Sequence, residues 1–326
     1  MKRVSIGVSL MLAVIAAATL YPSRAQETSS VPAHPPSAGA PPLNPLQVAL
    51  LRWYKANTTT SFSVGSQPYG VAFDGANIWT ANLGDGTVTK LRANDGEVLG
   101  TFKVGGGPYG VTFDGANIWV SNLGGTIIKV RASDGKVLGT YTVSASPGWM
   151  AFDGANIWVP NGKNVLSKLR ADDGKNLGNF AVGNDDIAVA FDGANVWTTN
   201  TGDGTVSKLR ASDGKILGTF AVGSRPTGIA FDGANMWVAN RYDGTVSKLR
   251  ASDGKALGTF PVPTEPYGVA FDGMNVWVSG FTLAVELRVS DGSVVARVDT
   301  HGSAGIAFDG ANVWVGEFND NVVGKL

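Results

Sequence analysis

The sequence predicts an all-β fold, a seven-bladed β-propeller built of four-stranded antiparallel blades. One seven-residue phrase, Phe-Asp-Gly-Ala-Asn-Ile-Trp or a close variant, occurs seven times in the 326 residues. The copies occupy residues 73–79, 113–119, 152–158, 191–197, 231–237, 271–277 and 308–314. Their spacing of 37 to 40 residues, and the short apolar runs separated by Asp-Gly turns, are typical of propeller blades.

Composition excludes several classes of function. Lys and Arg together number 26 and equal Asp and Glu, so no net charge would draw the chain to nucleic acid or an anionic membrane. The chain has no cysteine, which excludes disulfides, thiol catalysis and thiolate metal sites. Its 44 glycines fall at fixed places in the repeat, as turn residues do.

The first 25 residues have the pattern of a secretory signal. Lys2 and Arg3 precede an apolar stretch at residues 10–20, and small residues lead to a predicted cleavage after Ala25. An uncleaved anchor remains the alternative, because residues 4–20 carry no charge. Both alternatives place the repeats outside the cytoplasm, so we predict a secreted or periplasmic protein.

Residues 26–46 are predicted to be a disordered tether. This stretch contains six prolines and almost no large apolar side chain before Leu43, so it cannot bury enough surface to offset the entropy of the chain. The repeats account for nearly all the remainder, which we therefore assign to one propeller domain at residues 47–326 and expect to be monomeric.

A representative repeat spans residues 225–262 and contains four short strands, here called a to d. They are expected at residues 228–231, 235–240, 245–250 and 257–262, joined by turns that contain Asp-Gly. Strands a and b are apolar on both sides, so each sheet must be covered on both faces. Stacking the sheets around an axis and closing the ring achieves this.

Two features of the repeat are given roles in this ring. The Trp of strand b and the Phe of strand a occur in all seven copies, so we assign them to packing between blades. The sequence Lys-Leu-Arg near the end of strand c recurs in most copies and is predicted to be a solvated outer rim.

The last repeat is expected to be completed by the N-terminal end of the domain. It stops at Leu326, which aligns with Leu209 just before the c–d turn. Residues 60–65 align with strand d at residues 218–223 and would supply the missing strand. Because Leu51 also aligns with Leu209, a strand c from the N-terminal end is an open alternative.

Two quoted motifs carry a family resemblance, Pro-Tyr-Gly-Val-Ala-Phe-Asp-Gly at residues 68–75 and Gly-Thr-Val-Ser-Lys-Leu-Arg at residues 204–210. Over residues 47–326 the chain resembles the YVTN-type and NHL-type repeat propellers of bacteria. It looks particularly like the seven-bladed group that includes the streptogramin (virginiamycin B) lyases. The resemblance is specific for the fold and implies little about function, because such propellers host many unrelated tasks.

Residues 209–218 also look like the repeat of quinoprotein propellers. Those proteins carry a docking Trp where this chain has glycine. The glycines are Gly100, Gly139, Gly178, Gly218 and Gly258. We therefore expect no quinone, and no other cofactor is predicted.

The repeats vary on only one face of the predicted ring. The a–b and c–d turns share one face and are nearly constant in sequence. The b–c loops and d–a linkers share the other, which we call the varied face. Its residue before the Pro-Tyr-Gly motif reads Gln67, Gly107, Ser146, Asp185, Arg225, Glu265 and Gly302. Functional residues of rigid scaffolds usually lie on such loops.

We therefore predict a binding surface on the varied face, at the mouth of the central channel. Aromatic side chains would supply contact area, and charged side chains would set polarity. The predicted binding residues are Tyr69, Tyr109, Trp149, Asp185, Arg225, Arg241, Tyr242, Glu265, Tyr267 and Glu317, with Asp186 beside them. The ligand would be a protein, a glycan or a small molecule, with no nucleic acid and no membrane after signal cleavage. Neutral variation of exposed loops is the competing explanation.

An enzyme is the second hypothesis. The resemblance to streptogramin lyases implies His and Glu side chains acting with a divalent cation, but the propeller contains only one histidine, His301. A site with two histidines is therefore excluded, although His301 near Glu265 and Glu317 could act as a base. We assign no catalytic residue beyond this weak candidate and predict no metal site. A quinoprotein-like cofactor protein is the third and weakest hypothesis.

Overall fold

The computed structural model describes residues 60–144 and 146–326, which form 28 β-strands in seven four-stranded antiparallel sheets. The predicted fold class is confirmed. The signal at residues 1–25, the tether at residues 26–46 and Leu51 all lie outside the described residues. Within the described part, no helix is long and apolar enough to span a membrane.

Each blade is a meander of strands a to d, and the first six blades are continuous in the chain. The first blade contains β2 (Pro68–Phe73), β3 (Asn77–Asn82), β4 (Thr87–Arg92) and β5 (Val98–Lys103). The second contains β6 (Pro108–Phe113), β7 (Asn117–Asn122), β8 (Thr126–Arg131) and β9 (Val137–Thr142). The third contains β10 (Ala151–Phe152), β11 (Asn156–Pro160), β12 (Val165–Arg170) and β13 (Asn176–Ala181).

The remaining blades follow the same order. The fourth contains β14 (Asp186–Phe191), β15 (Asn195–Asn200), β16 (Thr205–Arg210) and β17 (Ile216–Ala221). The fifth contains β18 (Pro226–Phe231), β19 (Asn235–Asn240), β20 (Thr245–Arg250) and β21 (Ala256–Pro261). The sixth contains β22 (Pro266–Phe271), β23 (Asn275–Gly280), β24 (Leu283–Arg288) and β25 (Val294–Asp299). The seventh contains β26 (Ser303–Phe308), β27 (Val313–Glu317), β28 (Val322–Lys325) and β1 (Ser61–Ser63).

The ring closes through β1, the first strand in the chain. Strand β1 pairs antiparallel with β28, with Phe62 opposite Val323. The backbone N–H of Val64 also donates to the carbonyl of Asn321 at 3.0 Å. Strand c of this blade is β28, so the alternative of an N-terminal strand c is excluded. Each strand a contacts the strand a of the next blade, and β26 contacts β2.

The repeated Asp-Gly-Ala-Asn sequence is explained by its hydrogen bonds. In the first blade the turn is closed by Asp74 N–H donating to the Asn77 carbonyl at 2.9 Å, and its central residues are Gly75 and Ala76. Gly75 has a φ of +96°, which suits glycine at the first central position of a type II′ turn. Asp74 Oδ2 accepts from Trp79 Nε1 at 2.7 Å. One carboxylate therefore fixes both the turn and the buried indole.

The Trp side chains pack between blades, as predicted. Six of the seven are completely buried, namely Trp79, Trp119, Trp158, Trp197, Trp237 and Trp314. Trp197 of the fourth blade shares an apolar cluster with Met236 and Val238 of the fifth. It also stacks on Phe220 of its own strand d, with ring centroids 5.4 Å apart. The strand-a Phe side chains are only partly buried and pack at the edge of these clusters.

The assignment of Lys-Leu-Arg to a solvated rim is wrong for the lysine and the leucine. Lys208 is only 5% exposed, and its Nζ lies 5.0 Å from the centre of the Trp197 ring. Nζ donates to the carbonyl of Ala251 in the next blade at 2.6 Å. Both faces of strand c are covered by neighbouring blades, so the lysine stem lies in the interface and only Arg210 reaches solvent.

We expect Lys208→Met to destabilise the ring by about 1–3 kcal/mol, because it removes the ammonium and leaves the Ala251 carbonyl without its donor. Arg210→Ala is the matched control, since Arg210 forms an exposed ion pair with Asp213 and should change stability little. Chemical denaturation of both variants measures the difference. Equal effects would contradict the inter-blade role of the lysine.

The contact between the sixth and seventh blades lacks the inter-blade contacts that a lysine of strand c and a phenylalanine of strand d make elsewhere in the ring. Phe220 packs against Gly254 in the c–d turn of the following blade, and other blades repeat the contact. The seventh blade has no c–d turn, because its strands c and d are not consecutive in the chain. In the sixth blade Val298 stands at the Phe position and Glu286 at the Lys position. We call this contact the seam.

Candidate functional site

The channel through the ring is lined by one apolar side chain from each blade. These residues are Val71, Val111, Met150, Val189, Ile229, Val269 and Ile306, and they surround a cavity of about 160 Å³. No charged or titratable side chain lines this cavity. The interior of the channel is therefore suited to apolar contact and not to acid–base chemistry.

The next layer towards the varied face consists of small residues with one exception. Six blades have glycine or alanine here, namely Gly70, Gly110, Ala188, Gly228, Gly268 and Gly305. A Cβ on Gly70 would overlap the carbonyl of Tyr109 in the next blade. The third blade has Trp149 at this position. The larger residue lies outside the regular strand, since β10 begins only at Ala151, and its backbone forms an isolated parallel bridge to Ala188.

Four of the five predicted aromatic residues come together above this layer, and Phe318 joins them. We call Tyr69, Tyr109, Trp149, Tyr267 and Phe318 the aromatic cluster. Tyr109 stacks on Tyr69 and on Trp149, with ring centroids 4.6 and 5.2 Å away. Tyr267 meets Trp149 edge-on at 5.3 Å, and Phe318 stacks on Tyr69 at 5.6 Å. These rings come from the first, second, third, sixth and seventh blades, so only ring closure assembles the cluster.

The cluster carries polar atoms as well as ring faces. The hydroxyl of Tyr267 is 3.0 Å from that of Tyr69 and 3.2 Å from that of Tyr109. Burial, with a further contribution from Tyr267, raises the pKa of Tyr69 and Tyr109 well above the usual range. These hydroxyls stay protonated and can donate hydrogen bonds. Trp149 Nε1 is buried and has no acceptor among the described residues.

Two charged residues flank the cluster. The guanidinium of Arg241 lies 5.1 Å from the centre of the Tyr267 ring and 3.3 Å from Glu265 Oε2. A cavity of about 60 Å³ is lined by Tyr69, Arg241, Glu265, Tyr267, Phe281, Ser303 and Phe318. Six of the predicted binding residues therefore lie in or beside one aromatic surface.

Three other predicted residues lie in a separate groove. Asp185, Arg225 and Tyr242 line a groove of about 530 Å³ between the loops of the fourth and fifth blades. The guanidinium of Arg225 covers the Tyr242 ring at 4.7 Å, and Tyr242 is 64% exposed. The sequence predicted one surface, and the structure divides its members among the aromatic cluster, this groove and the surroundings of His301.

The backbone is strained at the residue before the Pro-Tyr-Gly motif in most blades. The residue before the Pro-Tyr-Gly motif has a left-handed φ in six blades. It is 53° at Gln67, 64° at Ser146, 54° at Asp185 and 49° at Arg225, and glycine occupies the position at Gly107 and Gly302. Glycine adopts this conformation without a steric penalty, whereas other residues do so at a cost. Arg225 therefore adopts a backbone conformation that costs free energy for a residue other than glycine.

Glu317 lies in a third place, beside His301. The Nδ1 atom of His301 is 2.7 Å from Asp320 Oδ2 and 3.8 Å from Glu317 Oε2. Glu317 is only 8% exposed, and its Oε2 accepts the backbone N–H of His301 at 3.0 Å. Glu265 instead pairs with Arg241.

Asp186 is buried and differs from the other carboxylates. It is 1% exposed, Oδ2 accepts the N–H of Asn161 at 2.9 Å, and Oδ1 has no partner among the described residues. Burial raises the pKa of Asp186 to about 6. The carboxyl is therefore protonated more easily in the folded protein than in the unfolded chain.

We expect this group to make stability depend on pH. Its contribution is fully present below the unfolded pKa of 3.8 and is lost as the pH rises through about 6. Between pH 4 and pH 7 the parent should lose about 2 kcal/mol relative to Asp186→Asn. Urea unfolding at both pH values measures this, with Asp185→Asn as the exposed control. A parallel pH dependence of parent and Asp186→Asn would contradict the prediction.

Sequence reasoning did not assign Phe281, Phe318 or Asp320 to the site. Phe281 and Phe318 lie where Arg241 lies in the fifth blade, in the first position of the b–c loop after strand b. That position reads Leu83, Leu123, Gly162, Thr201, Arg241, Phe281 and Phe318. Comparing this column across the repeats would have found both.

Comparison with known proteins supports the fold. The family model described as "Outer membrane protein assembly factor BamB" (PQQ_2) matches residues 71–179, nearly the whole of the first three blades. No curated protein sequence matches the chain significantly. A solved streptogramin B lyase is similar with a TM-score of 0.71 at 16% identity, over 81% of this chain and 95% of that one.

A second solved structure is equally similar. The hydrazine synthase of Kuenenia stuttgartiensis matches with a TM-score of 0.71 at 16% identity, over 82% of this chain and 97% of the other. Two proteins with different activities share the architecture. The likeness is one of fold alone. The expected resemblance to streptogramin lyase propellers is thus confirmed at the level of architecture, while the YVTN and NHL assignments stay predictions.

Proposed function

We propose that this protein is a binding module that works outside the cytoplasm, with the aromatic cluster as its contact surface. One observation carries the proposal. Aromatic side chains from variable positions of the repeat in five different blades converge on one spot of the varied face, whereas the turns of the opposite face are nearly constant. Rigid aromatic rings with fixed hydroxyls give contact area and directional hydrogen bonds at low entropic cost.

The ligand would lie across the aromatic rings and form hydrogen bonds with the polar groups at the edge of the cluster. Arg241 and Glu265 offer a cation and an anion beside the rings, which fits a polar ligand with a flat or apolar part. The groove at Arg225 and Tyr242 extends the same face and would contact a larger partner. The leader-like first 25 residues and the partial match to an outer membrane assembly factor both favour an envelope location.

The test replaces Tyr69, Tyr109 and Tyr267 together and compares ligand capture from an envelope extract. A triple Tyr→Phe variant keeps the ring contacts and removes the hydroxyls, and a triple Tyr→Ala variant removes both. Parent-like circular dichroism is required of each variant. We expect capture to fall at least tenfold for the Ala variant and to a smaller extent for the Phe variant. Unchanged capture by a folded Ala variant would refute the proposal.

One observation favours the second candidate, a lyase-like enzyme at the channel mouth. His301 lies beside two carboxylates, and Asp320 can orient its imidazole as a base. The test is to incubate the protein with a lactone-containing cyclic peptide. Cleavage of the lactone would convert it into a linear product, which chromatography and mass spectrometry detect. No conversion above that of a His301→Ala control would exclude this enzyme.

A further inference from the structure

A repeated clamp joins the d–a linker to the b–c loop on the varied face. In the fifth blade, Asp243 Oδ2 accepts the N–H of Ser224 at 2.7 Å. Asn240 Oδ1 accepts the N–H of Gly223 at 3.0 Å. The first and fourth blades use an aspartate in the same way. In the fourth and fifth blades the clamp consists of one carboxylate and one amide, and both accept backbone N–H groups of the linker.

The seventh blade changes two members of this clamp. Glu317 stands at the position of Asn240, and His301 stands at the position of Ser224, whereas Asp320 keeps the aspartate. One ligand atom from each of these three side chains lies within 4.8 Å of the others. Relative to the fifth blade, a neutral amide has thus been replaced by a carboxylate and a hydroxyl by an imidazole. The clamp of the seventh blade therefore contains two carboxylates instead of one.

We propose that His301, Glu317 and Asp320 bind one divalent cation of the zinc class. An imidazole nitrogen with two carboxylate oxygens is a donor set that suits Zn²⁺ and similar first-row cations. Glu317 is almost fully buried, so a cation would offset a charge that solvent screens poorly. The exposed His301 ring, 69% accessible, can turn to offer its nitrogen. No metal site was predicted from the sequence, which drew attention to His301 and Glu317 but not to Asp320.

The position gives the cation a structural task. The same b–c loop continues to Asn321, whose carbonyl accepts from Val64 and whose Oδ1 accepts the N–H of Gln67 at 2.8 Å. That loop therefore holds the N-terminal strand in place. It also borders the seam, where Glu286 replaces the lysine that donates to a carbonyl of the next blade elsewhere in the ring. A cation would tie the linker between the sixth and seventh blades to the loop that closes the ring.

The experiment uses the full chain with His34→Ala, so that His301 is the only histidine. The protein is freed of metal with a chelator, and Zn²⁺ alone is titrated by calorimetry and in thermal melts. We expect one site with a dissociation constant of about 10 μM or below and a melting midpoint raised by several degrees. His301→Ala and Glu317→Gln should each weaken zinc binding at least tenfold, whereas Asp243→Asn, the same loop position in the fifth blade, should not.

Three results would overturn the proposal. They are an absence of saturable zinc binding, unchanged affinity in both site variants, and an equal loss of affinity in Asp243→Asn. His301 is exposed, so its alanine variant should fold and keep the test decisive even if Glu317→Gln does not. The outcome is independent of ligand capture by the aromatic cluster, because capture is measured in variants that leave these three side chains intact.

Discussion

A chain that lacks residues 46–65 is expected either to unfold far below the melting temperature of the parent or not to fold. The deletion removes β1, and with it the pairing to β28 and the contact of Phe62 with Trp314, whose ring centroids are 5.5 Å apart. Without β1 the outer edge of the seventh blade is uncovered. Phe62 also packs against Gly96 in the first blade, so the deletion removes a contact between the seventh and first blades as well. The effect should approach the whole stability of a domain, about 5–15 kcal/mol.

Differential scanning calorimetry measures this, and a deletion of residues 26–45 provides the control. The control removes a similar length of the predicted tether and should melt as the parent does. A deletant of residues 46–65 that melts with the same midpoint and enthalpy as the parent would refute the closure. Phe62→Ala should fall between the two, because it leaves the backbone pairing of β1 in place.

The second large effect is expected from Trp197→Ala, which should destabilise the ring by about 3–5 kcal/mol. Trp197 is completely buried between Lys208, Phe220 and the strands of the fifth blade, and its Nε1 donates to Asp192 Oδ2 at 2.8 Å. Removing the indole leaves a cavity that rigid strands cannot collapse. It also takes a hydrogen bond from a carboxylate whose other donors fix the a–b turn.

Trp277→Ala is the matched control in the sixth blade. Trp277 donates to Asp272 at 2.9 Å in the same way, but Val298 and Glu286 replace the phenylalanine and lysine of the stack, and the indole is only partly buried. Denaturant unfolding should show a clearly smaller loss for Trp277→Ala than for Trp197→Ala. Equal losses would mean that the stack with Phe and Lys contributes little to the ring.

The period of the repeat was enough to predict the fold, because every blade must solve the same packing problem. Even the closing strand followed from alignment of residues 60–65 with strand d. The lysine of strand c was misjudged for a physical reason. Its charge suggests exposure, yet its stem lies on a buried indole and its ammonium meets a carbonyl of the next blade, which only the stacked structure reveals.

The sequence predicted which aromatic side chains lie on the varied face, but not how they group there. Positions that vary among the seven copies pointed to Tyr69, Tyr109, Trp149 and Tyr267, because the scaffold alone does not require different residues at equivalent places. Their contact distances depend on the radius of the ring, which a sequence does not give. The same limit explains why Arg225 and Tyr242 form a separate groove, and why Asp320 was missed although its loop was examined.

The central claim is that recognition takes place on the varied face, and site-specific photo-cross-linking tests it most directly. A photoreactive amino acid is placed at Tyr242 on the varied face, or at Met274 in the a–b turn of the sixth blade on the opposite face. Both side chains are well exposed, at 64% and 76%. Irradiation in envelope extract should give a discrete adduct from position 242 and none from position 274. Adducts from position 274 alone, or equally from both, would contradict the account.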